Sequence, residues 1–188
     1  INNFGIITHA TISNDNVKLI HSPERKGLGN ALSIGWKKAV NDFIMFLDCD
    51  SHVPTKDLML LINSRAKHTV IVGSRYLSKS RINGAPKIKV FFSKTLNFII
   101  SKLLNIKIKD ISHSLRIFPN DYINVGEILT HPGYFWGLSL RHQLMGYTLK
   151  EIPITFNERE EGLTKNSSIK MLKSVLKTLT ILYKIKNE

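Results

Sequence analysis

Two aspartates and a histidine stand at alternating positions directly after an apolar run of residues. The run spans 43–47, and Asp48, Asp50 and His52 follow it. Residues two apart in an extended backbone project to the same side, so both carboxylates could face one ligand. Two such carboxylates would repel each other and be costly to desolvate unless a cation lay between them. The spacing therefore favours a metal-binding site.

The residue types indicate which metal and which ligand such a site would take. Mg²⁺ typically binds one or two carboxylates together with substrate phosphates, so the pair Asp48 and Asp50 suits a metal–diphosphate complex. His52 could be a third ligand or an outer partner, and an imidazole suits Mn²⁺ better than Mg²⁺. An Asp-x-Asp pair also occurs by chance in turns and helix caps, so the residues alone leave a structural interpretation open.

The overall charge points to an anionic partner. The 188 residues include 27 Lys and Arg against 14 Asp and Glu, which gives a formal charge of +13. Nucleic acid, an anionic membrane surface and phosphorylated substrates would all match this charge. We expect no nucleic-acid partner, because the basic residues are not interleaved with an aromatic platform and no nucleic-acid-binding motif is present.

Cysteine usage and hydropathy exclude several other classes. Cys49 is the single cysteine, which rules out an internal disulfide framework and a cysteine-based zinc cluster and makes a reducing compartment the simpler expectation. No apolar run reaches the ~18 residues that a membrane span needs. The first residues do not form a signal-peptide pattern.

Alternating strand-like and helix-like patterns predict an α/β fold. We expect a largely parallel central sheet flanked by helices, with ligands beyond the carboxyl ends of its strands. The apolar strand-like runs are 16–22, 42–48, 68–76, 111–119 and 148–156, and the helical patterns are 30–40, 55–67, 87–109 and 137–147. Residues 168–186 form a basic amphipathic pattern, typical of a membrane-surface helix or of a core-packing helix with a solvated lysine face.

Four ordered motifs carry a family resemblance. They read "ERKGLGNALSIGWKKAVNDFIMFLDCDSHVP", "VIVGSRY", "KDISHSLRIF" and "GYTLKEIPITFNEREEGLTKNS". The chain resembles glycosyltransferase family two over about residues 16–183, and most of all its polyprenyl-phosphate branch, such as the dolichyl-phosphate mannosyltransferases and their glucosyl counterparts. The resemblance implies a GT-A fold of the nucleotide-diphospho-sugar transferase type, a divalent metal and a nucleotide-sugar donor of the GDP-mannose or UDP-glucose type.

The resemblance also implies a domain organisation. Residues 1–166 would form the GT-A catalytic domain and 167–188 a C-terminal basic amphipathic helix. Relatives begin with a strand–helix–strand unit that carries a "V-x-x-P-x-x-N-E" start, whereas this chain begins "INNFGIITHA". We therefore expect the first strand–helix–strand unit of the family to be absent from this chain.

Roles on the donor side follow from the resemblance, position by position. Asp48 and Asp50 match the metal-binding aspartates, and His52 stands where relatives often have a metal-contacting Gln. Basic residues expected near the phosphates lie in the glycine-rich turn and in the loop before the last helix, on the donor side, and at the "GSRY" strand end, where the side is left open: Lys26, Arg159 and Lys165, and Arg75.

Roles on the acceptor side follow in the same way. Ser93 and Asn97 fall where relatives have a Ser-Arg-x-x-Asn pattern that helps to hold the acceptor phosphate. Lys94 replaces the arginine of that pattern, which keeps the charge and loses the bidentate fork. Three further residues match a "D-x-x-x-S-x-R" segment of the family, which is not assigned to the acceptor or to the donor: Asp110, Ser114 and Arg116.

The implied reaction is an inverting transfer of a hexose from a nucleotide sugar to a polyprenyl (dolichyl) phosphate. A phosphate acceptor is already ionised at neutral pH, so the site must supply positioning and charge compensation rather than a strong base. We expect four residues to carry the catalysis: Asp50, Arg75, Asp110 and Arg116. Arg116 lies in an apolar strand, which leaves a structural ion pair with Asp110 as its alternative role.

Two other functions remain open at this stage. The chain could transfer a sugar to a saccharide hydroxyl, with Asp110 as the best candidate base, or it could be a non-catalytic module that binds anions or membranes. For the leading function we expect a peripheral location at the cytoplasmic face of a membrane, with a possible membrane segment outside this chain.

Overall fold

This computed structural model describes residues 20, 27–48, 53–120, 134–158 and 180. The helices in these ranges are α1 (Leu28–Lys38), α2 (Thr55–Asn63), α3 (Lys87–Leu104) and α4 (Tyr134–Leu144). The strands are β1 (Phe43–Phe46), β2 (Thr69–Ser74), β3 (Arg81–Asn83), β4 (Arg116–Pro119), β5 (Thr148–Pro153) and β6 (Thr155–Asn157). The predicted α/β class is confirmed, but two of the three pairings described in the central sheet are antiparallel, so its described part is mixed rather than largely parallel as expected.

The central sheet has the strand order β1–β4–β2–β5. Strand β4 pairs antiparallel with both β1 and β2, whereas β2 and β5 pair in parallel. Strands β1, β2 and β5 therefore share one direction, and β4 runs against them between β1 and β2. As a result, the carboxyl ends of β1 and β2 lie at the same sheet edge as the start of β4.

A second, two-stranded sheet differs from the expectation. The pattern over 148–156 predicted one strand, but the structure divides it into β5 and β6, and β6 pairs in parallel with β3. The division falls at Ile154, whose N–H donates to the carbonyl of Ser74 and whose carbonyl accepts from the N–H of Arg81. Pro153 has no N–H to continue the first ladder. The short strand β3 had no recognisable apolar pattern.

Alternating side chains place a core on each face of the central sheet. Ile44 and Phe46 of β1 point to one face, whereas Phe43 and Met45 point to the other. The first face packs against α1, α3 and α4 around an aromatic cluster, in which the ring centroids of Trp36 and Phe118 are 5.1 Å apart. The second face packs against α2 through the fully buried Leu61.

Helix α3 ends earlier than its sequence pattern. The pattern predicted helix through residue 109, but Asn105 adopts a left-handed conformation, and the N–H of Ile106 closes on the carbonyl of Ser101. The helix buries one face and leaves large apolar side chains exposed on the others: Ile88, Phe91, Phe92, Phe98, Ile99 and Leu103. Among the described residues, no helix is long and apolar enough to cross a membrane.

Two predictions about organisation concern residues outside the described ranges. The strand over 16–22, apart from residue 20, and the amphipathic helix over 168–186, apart from residue 180, are not described. The division into domains 1–166 and 167–188 therefore stays a prediction.

Gly73 of β2 lies close to the side chains of two neighbouring segments. A Cβ at Gly73 would lie 3.1 Å from Cδ2 of Leu115 and 3.3 Å from Cγ2 of Ile154, and both side chains are buried. We predict that Gly73→Ala lowers the free energy of unfolding by about 1–3 kcal/mol through overpacking, as measured by urea denaturation.

Gly35 supplies the matched control for this substitution. It lies in α1, and a Cβ there would meet no atom within 4 Å. Gly35→Ala should stabilise the protein by up to about 1 kcal/mol, because alanine favours the helix. Equal effects of the two substitutions would contradict the packing argument.

Candidate functional site

The structure brings the predicted site residues to the sheet edge where β1 and β2 end and β4 begins. Asp48 follows β1, Arg75 follows β2, and residues 110–115 lead into β4. Since β4 runs against both neighbours, these three segments converge although they lie far apart in the chain. Ligands of open α/β sheets bind beyond the carboxyl ends of the strands, which is this edge.

Asp48 and Ser114 face each other across the end of the β1–β4 ladder. The last paired residues are Phe46 and Arg116, so Asp48 and Ser114 come two residues beyond that pair on their strands. The hydroxyl of Ser114 donates to Oδ2 of Asp48 at 2.7 Å. Asp48 is exposed, and among the described residues no lysine or arginine pairs with it. The antiparallel register thus brings together two of the predicted site residues.

Asp110 and Arg75 form a buried, bidentate ion pair. Nε of Arg75 donates to Oδ2 of Asp110 at 2.8 Å, and a terminal nitrogen donates to Oδ1 at 2.9 Å. The backbone N–H of Arg75 adds a third bond to Oδ2 at 3.0 Å. Asp110 is fully buried, whereas the side chain of Arg75 keeps 18% of its surface exposed. Arg75 alone of the two can reach a ligand.

The electrostatics of this pair follow from its burial. Burial by itself would raise the pKa of Asp110, but the hydrogen bonds and the charge of Arg75 outweigh it and hold the pKa below its usual value. Burial by itself would lower the pKa of Arg75. The hydrogen bonds to Asp110 and its negative charge outweigh burial, so the pKa of Arg75 is raised. Asp110 is therefore an ionised, fully engaged carboxylate rather than an available base.

Arg116 is enclosed by the protein. It is fully buried and donates to the carbonyls of His113 at 2.9 Å and Phe135 at 3.1 Å, as well as to the carbonyl of Ile111 and the hydroxyl of Ser139. The sequence left open an ion pair between Arg116 and Asp110, but Asp110 pairs with Arg75 instead. Burial lowers the pKa of Arg116 to about 10, which leaves it charged at neutral pH. Arg116 thus holds the segment before β4 and offers no surface to a phosphate.

Asn97 and Ser93 are also committed to contacts within the protein. The side-chain oxygen of Asn97 accepts the N–H groups of Ile111 at 2.9 Å and Ser112 at 3.1 Å, and its amide donates to the Ser112 hydroxyl at 3.1 Å. The hydroxyls of Ser93 and Tyr76 lie 2.7 Å apart. Asn97 is 2% exposed, so it shapes the segment 110–114, whereas Ser93 is half-buried at the edge of a cleft.

A small cleft of about 120 Å³ adjoins Arg75, and we name it the Arg75 cleft. Lys89 lies at this cleft, and sequence reasoning missed it. It precedes Ser93 by four residues on α3, and that spacing, which puts both on one helix face, could have found it. Lys89 forms an ion pair with Glu158. The cleft is lined by Arg75, Tyr76, Ile82, Ala85, Lys89, Val90, Ser93, Phe156 and Glu158.

Lys94 does not join Ser93 at the Arg75 cleft. One residue along a helix turns the side chain by about 100°, and Lys94 lines a second, larger cleft on another side of α3. The predicted pair of Ser93 and Lys94 therefore serves two different surfaces.

Five predicted site residues lie outside the described ranges: Lys26, Asp50, His52, Arg159 and Lys165. Within the described ranges, which omit positions 49–52, no three His, Cys, Asp or Glu side chains come close enough to hold a metal. The residue present fits a hard divalent cation, because Asp48 offers an exposed carboxylate that the Ser114 hydroxyl orients. The metal site stays a prediction.

His113 makes the free energy of unfolding depend on pH. It is 7% exposed, its Nδ1 has no hydrogen-bond partner among the described residues, and burial lowers its pKa from 6.5 to about 4. In the unfolded chain the imidazole of His113 binds a proton below about pH 6.5. In the folded protein it binds a proton only below about pH 4. We predict that the free energy of unfolding falls by about 3 kcal/mol as the pH falls through that window.

Urea denaturation across the window checks this prediction. His113→Gln should lose the dependence that His113 contributes, because glutamine does not titrate. The matched control is His68→Asn, at an exposed histidine with a positive φ that asparagine tolerates. If His113→Gln and the wild type lose stability in parallel, the proposed titration is wrong.

Two characterised proteins resemble this chain in sequence. The chain is 28% identical over 171 residues to the polyprenol monophosphomannose synthase of Mycolicibacterium smegmatis, covering 87% of this chain and 64% of that protein. It is 23% identical over 158 residues to the undecaprenyl-phosphate mannosyltransferase of Micrococcus luteus, covering 80% of this chain and 65% of that protein. The chain therefore spans less than two thirds of the length of these relatives.

The family itself is settled by a match over more than half of the chain. The sequence profile of glycosyl transferase family 2 matches residues 6–126, a range that includes β1, Asp48, Arg75 and the whole segment leading into β4. This match confirms the resemblance seen in the motifs and the GT-A type of α/β fold that it implied. The chain belongs to glycosyl transferase family 2.

Proposed function

We propose that the protein transfers a hexose from a nucleotide sugar to a polyprenyl phosphate at a membrane surface. One observation carries the proposal: a single buried segment, 110–116, bonds to Asp48 through Ser114 and to Arg75 through Asp110. The carboxylate suited to a metal–diphosphate and the cationic Arg75 cleft are thereby held in one rigid arrangement. The names of the two relatives, a polyprenol monophosphomannose synthase and an undecaprenyl-phosphate mannosyltransferase, support the same reaction.

On the donor side, Asp48 would bind a nucleotide sugar of the GDP-mannose or UDP-glucose type through a metal ion. We propose Mg²⁺ or Mn²⁺ held by Asp48 and Asp50, with His52 as a third ligand or outer partner. Such an ion acts as a Lewis acid that stabilises the departing nucleotide diphosphate. Basic residues that we propose around the same diphosphate are Lys26, Arg159 and Lys165.

On the acceptor side, the Arg75 cleft suits a lipid phosphate. Arg75 supplies positive charge, Lys89 would do so by exchanging its ion pair with Glu158 for the phosphate, and the Ser93 hydroxyl supplies a hydrogen bond. An ionised phosphate oxygen would attack the anomeric carbon as the bond to the nucleotide diphosphate breaks, which inverts that carbon. The lipid phosphate and the nucleotide diphosphate are both anionic, so they can approach each other only where cations compensate their repulsion.

Transfer to a saccharide hydroxyl is not favoured. That reaction needs a base, and Asp110 was the best candidate in the sequence. Its carboxylate is fully buried, accepts three bonds from Arg75 and has a lowered pKa, so it is a poor proton acceptor. We propose instead that Asp110 and Arg116 position the site, and that Arg75 contacts the substrate.

A peripheral location at the cytoplasmic face of a membrane fits this acceptor. Helix α3, which helps to form the Arg75 cleft, exposes six large apolar side chains. An exposed apolar patch of this kind marks a protein or membrane interaction site. A single cysteine in the chain agrees with a reducing compartment.

The reaction can be tested with the full chain, Mn²⁺, a panel of nucleotide sugars and a short-chain polyprenyl phosphate, with the product followed by mass spectrometry. We predict a glycosyl phosphate product, no product from free sugars, and at least about 100-fold lower kcat/KM in Asp48→Asn. Lys89→Gln should raise the KM for the lipid phosphate and leave the KM for the nucleotide sugar near that of the wild type.

Lys56→Gln is the matched control, because Lys56 is an exposed lysine on α2, away from both clefts. Calorimetry with the nucleotide diphosphate separates an enzyme from a non-catalytic anion-binding module. If neither Mg²⁺ nor Mn²⁺ promotes binding and Asp48→Asn changes nothing, the proposed donor site is wrong. Equal transfer to sugars and to lipid phosphate would contradict the proposed acceptor.

A further inference from the structure

A second cleft, of about 540 Å³, lies between α3 and the chain that follows it. The exposed ring of Phe98 on α3 gives the cleft an apolar wall, whereas Ile106 and Ile108 line it with only 5% of their surface exposed. Tyr76 lines both this cleft and the Arg75 cleft. The cleft is lined by Tyr76, Lys94, Phe98, Ser101, Lys102, Asn105, Ile106, Lys107, Ile108, Lys109 and Glu151. The sequence predicted that Lys94 contacts the acceptor phosphate, but the reaction proposed for the Arg75 cleft does not use this second cleft.

Positive charge surrounds this apolar wall. Four exposed lysines line the cleft: Lys94, Lys102, Lys107 and Lys109. Among the described residues, no carboxylate lies within ion-pair distance of any of them. The carboxylate in the lining belongs to Glu151, whose Oε1 already accepts the backbone N–H of Asp110 at 2.9 Å. We call this surface the lysine-rimmed cleft.

The local chain geometry explains why charge and apolar surface coincide here. Lys94, Phe98 and Lys102 follow each other at intervals of four residues, so they form one stripe along α3. The ammonium of Lys102 lies 5.8 Å from the ring centroid of Phe98. After the helix ends, the chain alternates between the buried Ile106 and Ile108 and the exposed lysines between and after them. The stripe and the alternating segment line the same cleft.

We propose that the lysine-rimmed cleft binds an acidic phospholipid of the bilayer. The lysines would hold the anionic headgroup, and the apolar wall of Phe98 would contact the start of an acyl chain. Charge complementarity and continuity with the exposed apolar face of α3 identify this occupant, since Phe98 belongs to both surfaces. This ligand is distinct from the acceptor, whose phosphate we place in the Arg75 cleft.

Vesicle sedimentation of the full chain tests the proposal without any assay of sugar transfer. The probes are phosphatidylcholine vesicles with and without phosphatidylglycerol. Each lysine near an anionic surface strengthens binding by about fivefold, so Lys102→Gln with Lys107→Gln should weaken binding to the acidic vesicles about 25-fold. The control pair is Lys37→Gln with Lys38→Gln, two exposed lysines of α1 whose loss changes the net charge equally.

The two pairs separate a cleft from a general charge effect. We expect the α1 pair to bind nearly as well as the wild type. If both pairs weaken binding equally, or if acidic and neutral vesicles bind the wild type equally, the proposal is overturned. Circular dichroism of each variant excludes loss of fold as the cause, and these lysines are exposed, so their substitution leaves the core intact.

Soluble probes then distinguish a lipid from a free phosphate. Calorimetry would compare dihexanoyl phosphatidylglycerol below its micelle concentration, dihexanoyl phosphatidylcholine and inorganic phosphate. Saturable binding of the acidic lipid, weakened in the Lys102 and Lys107 pair, supports the proposal. Equal affinity for inorganic phosphate would show that the apolar wall contributes nothing, and equal affinity for the neutral lipid would show that the lysines contribute nothing. Either result overturns it.

Discussion

The buried ion pair between Arg75 and Asp110 is the contact on which the arrangement of this sheet edge depends. Removing a carboxylate from water costs several kcal/mol, and here three bonds from Arg75 offset that cost. Arg75 follows β2 and Asp110 precedes β4. Their ion pair therefore sets the distance between the end of β2 and the segment 110–116. The position of Ser114, and so the orientation of the Asp48 carboxylate, follows from it.

In the same segment, side chains provide hydrogen-bond partners for the buried, irregular backbone. Buried N–H and C=O groups need partners. Asn97 supplies an acceptor for two N–H groups of the segment, and Arg116 supplies donors for its carbonyls. Arg116 can stay charged in the core because oxygen atoms surround its guanidinium. Residues that we expect to contact a substrate therefore rest on residues that contact only the protein.

Helix α3 links the two clefts and gives each a different chemistry. Its 3.6-residue period directs Lys89 and Ser93 to the Arg75 cleft and Lys94 and Lys102 to the lysine-rimmed cleft. The same helix exposes Phe91, Phe92 and Phe98, and Phe98 belongs to the lysine-rimmed cleft. The formal charge of this family 2 glycosyl transferase domain is +13. Part of the positive charge lines two concave surfaces.

The sequence by itself determined the α/β class, most element positions and the placement of Asp48 after an apolar strand. These features can be recognised from hydrophobic periodicity. A helix or strand that buries one or both of its faces has apolar residues at regular intervals in the sequence. Strand β3 has three residues and no such pattern, and β5 and β6 form one continuous pattern that the pairing divides at Ile154.

Only the tertiary structure decided which polar side chains meet. Arg75 pairs with Asp110 over 35 positions of the chain, and Ser114 bonds to Asp48 over 66. Nothing local distinguishes Arg75 from Arg116 as the partner of Asp110, since both lie at the ends of apolar strands. The insertion of β4 between β1 and β2 makes that choice, because register across strands is a property of the folded sheet rather than of any one segment.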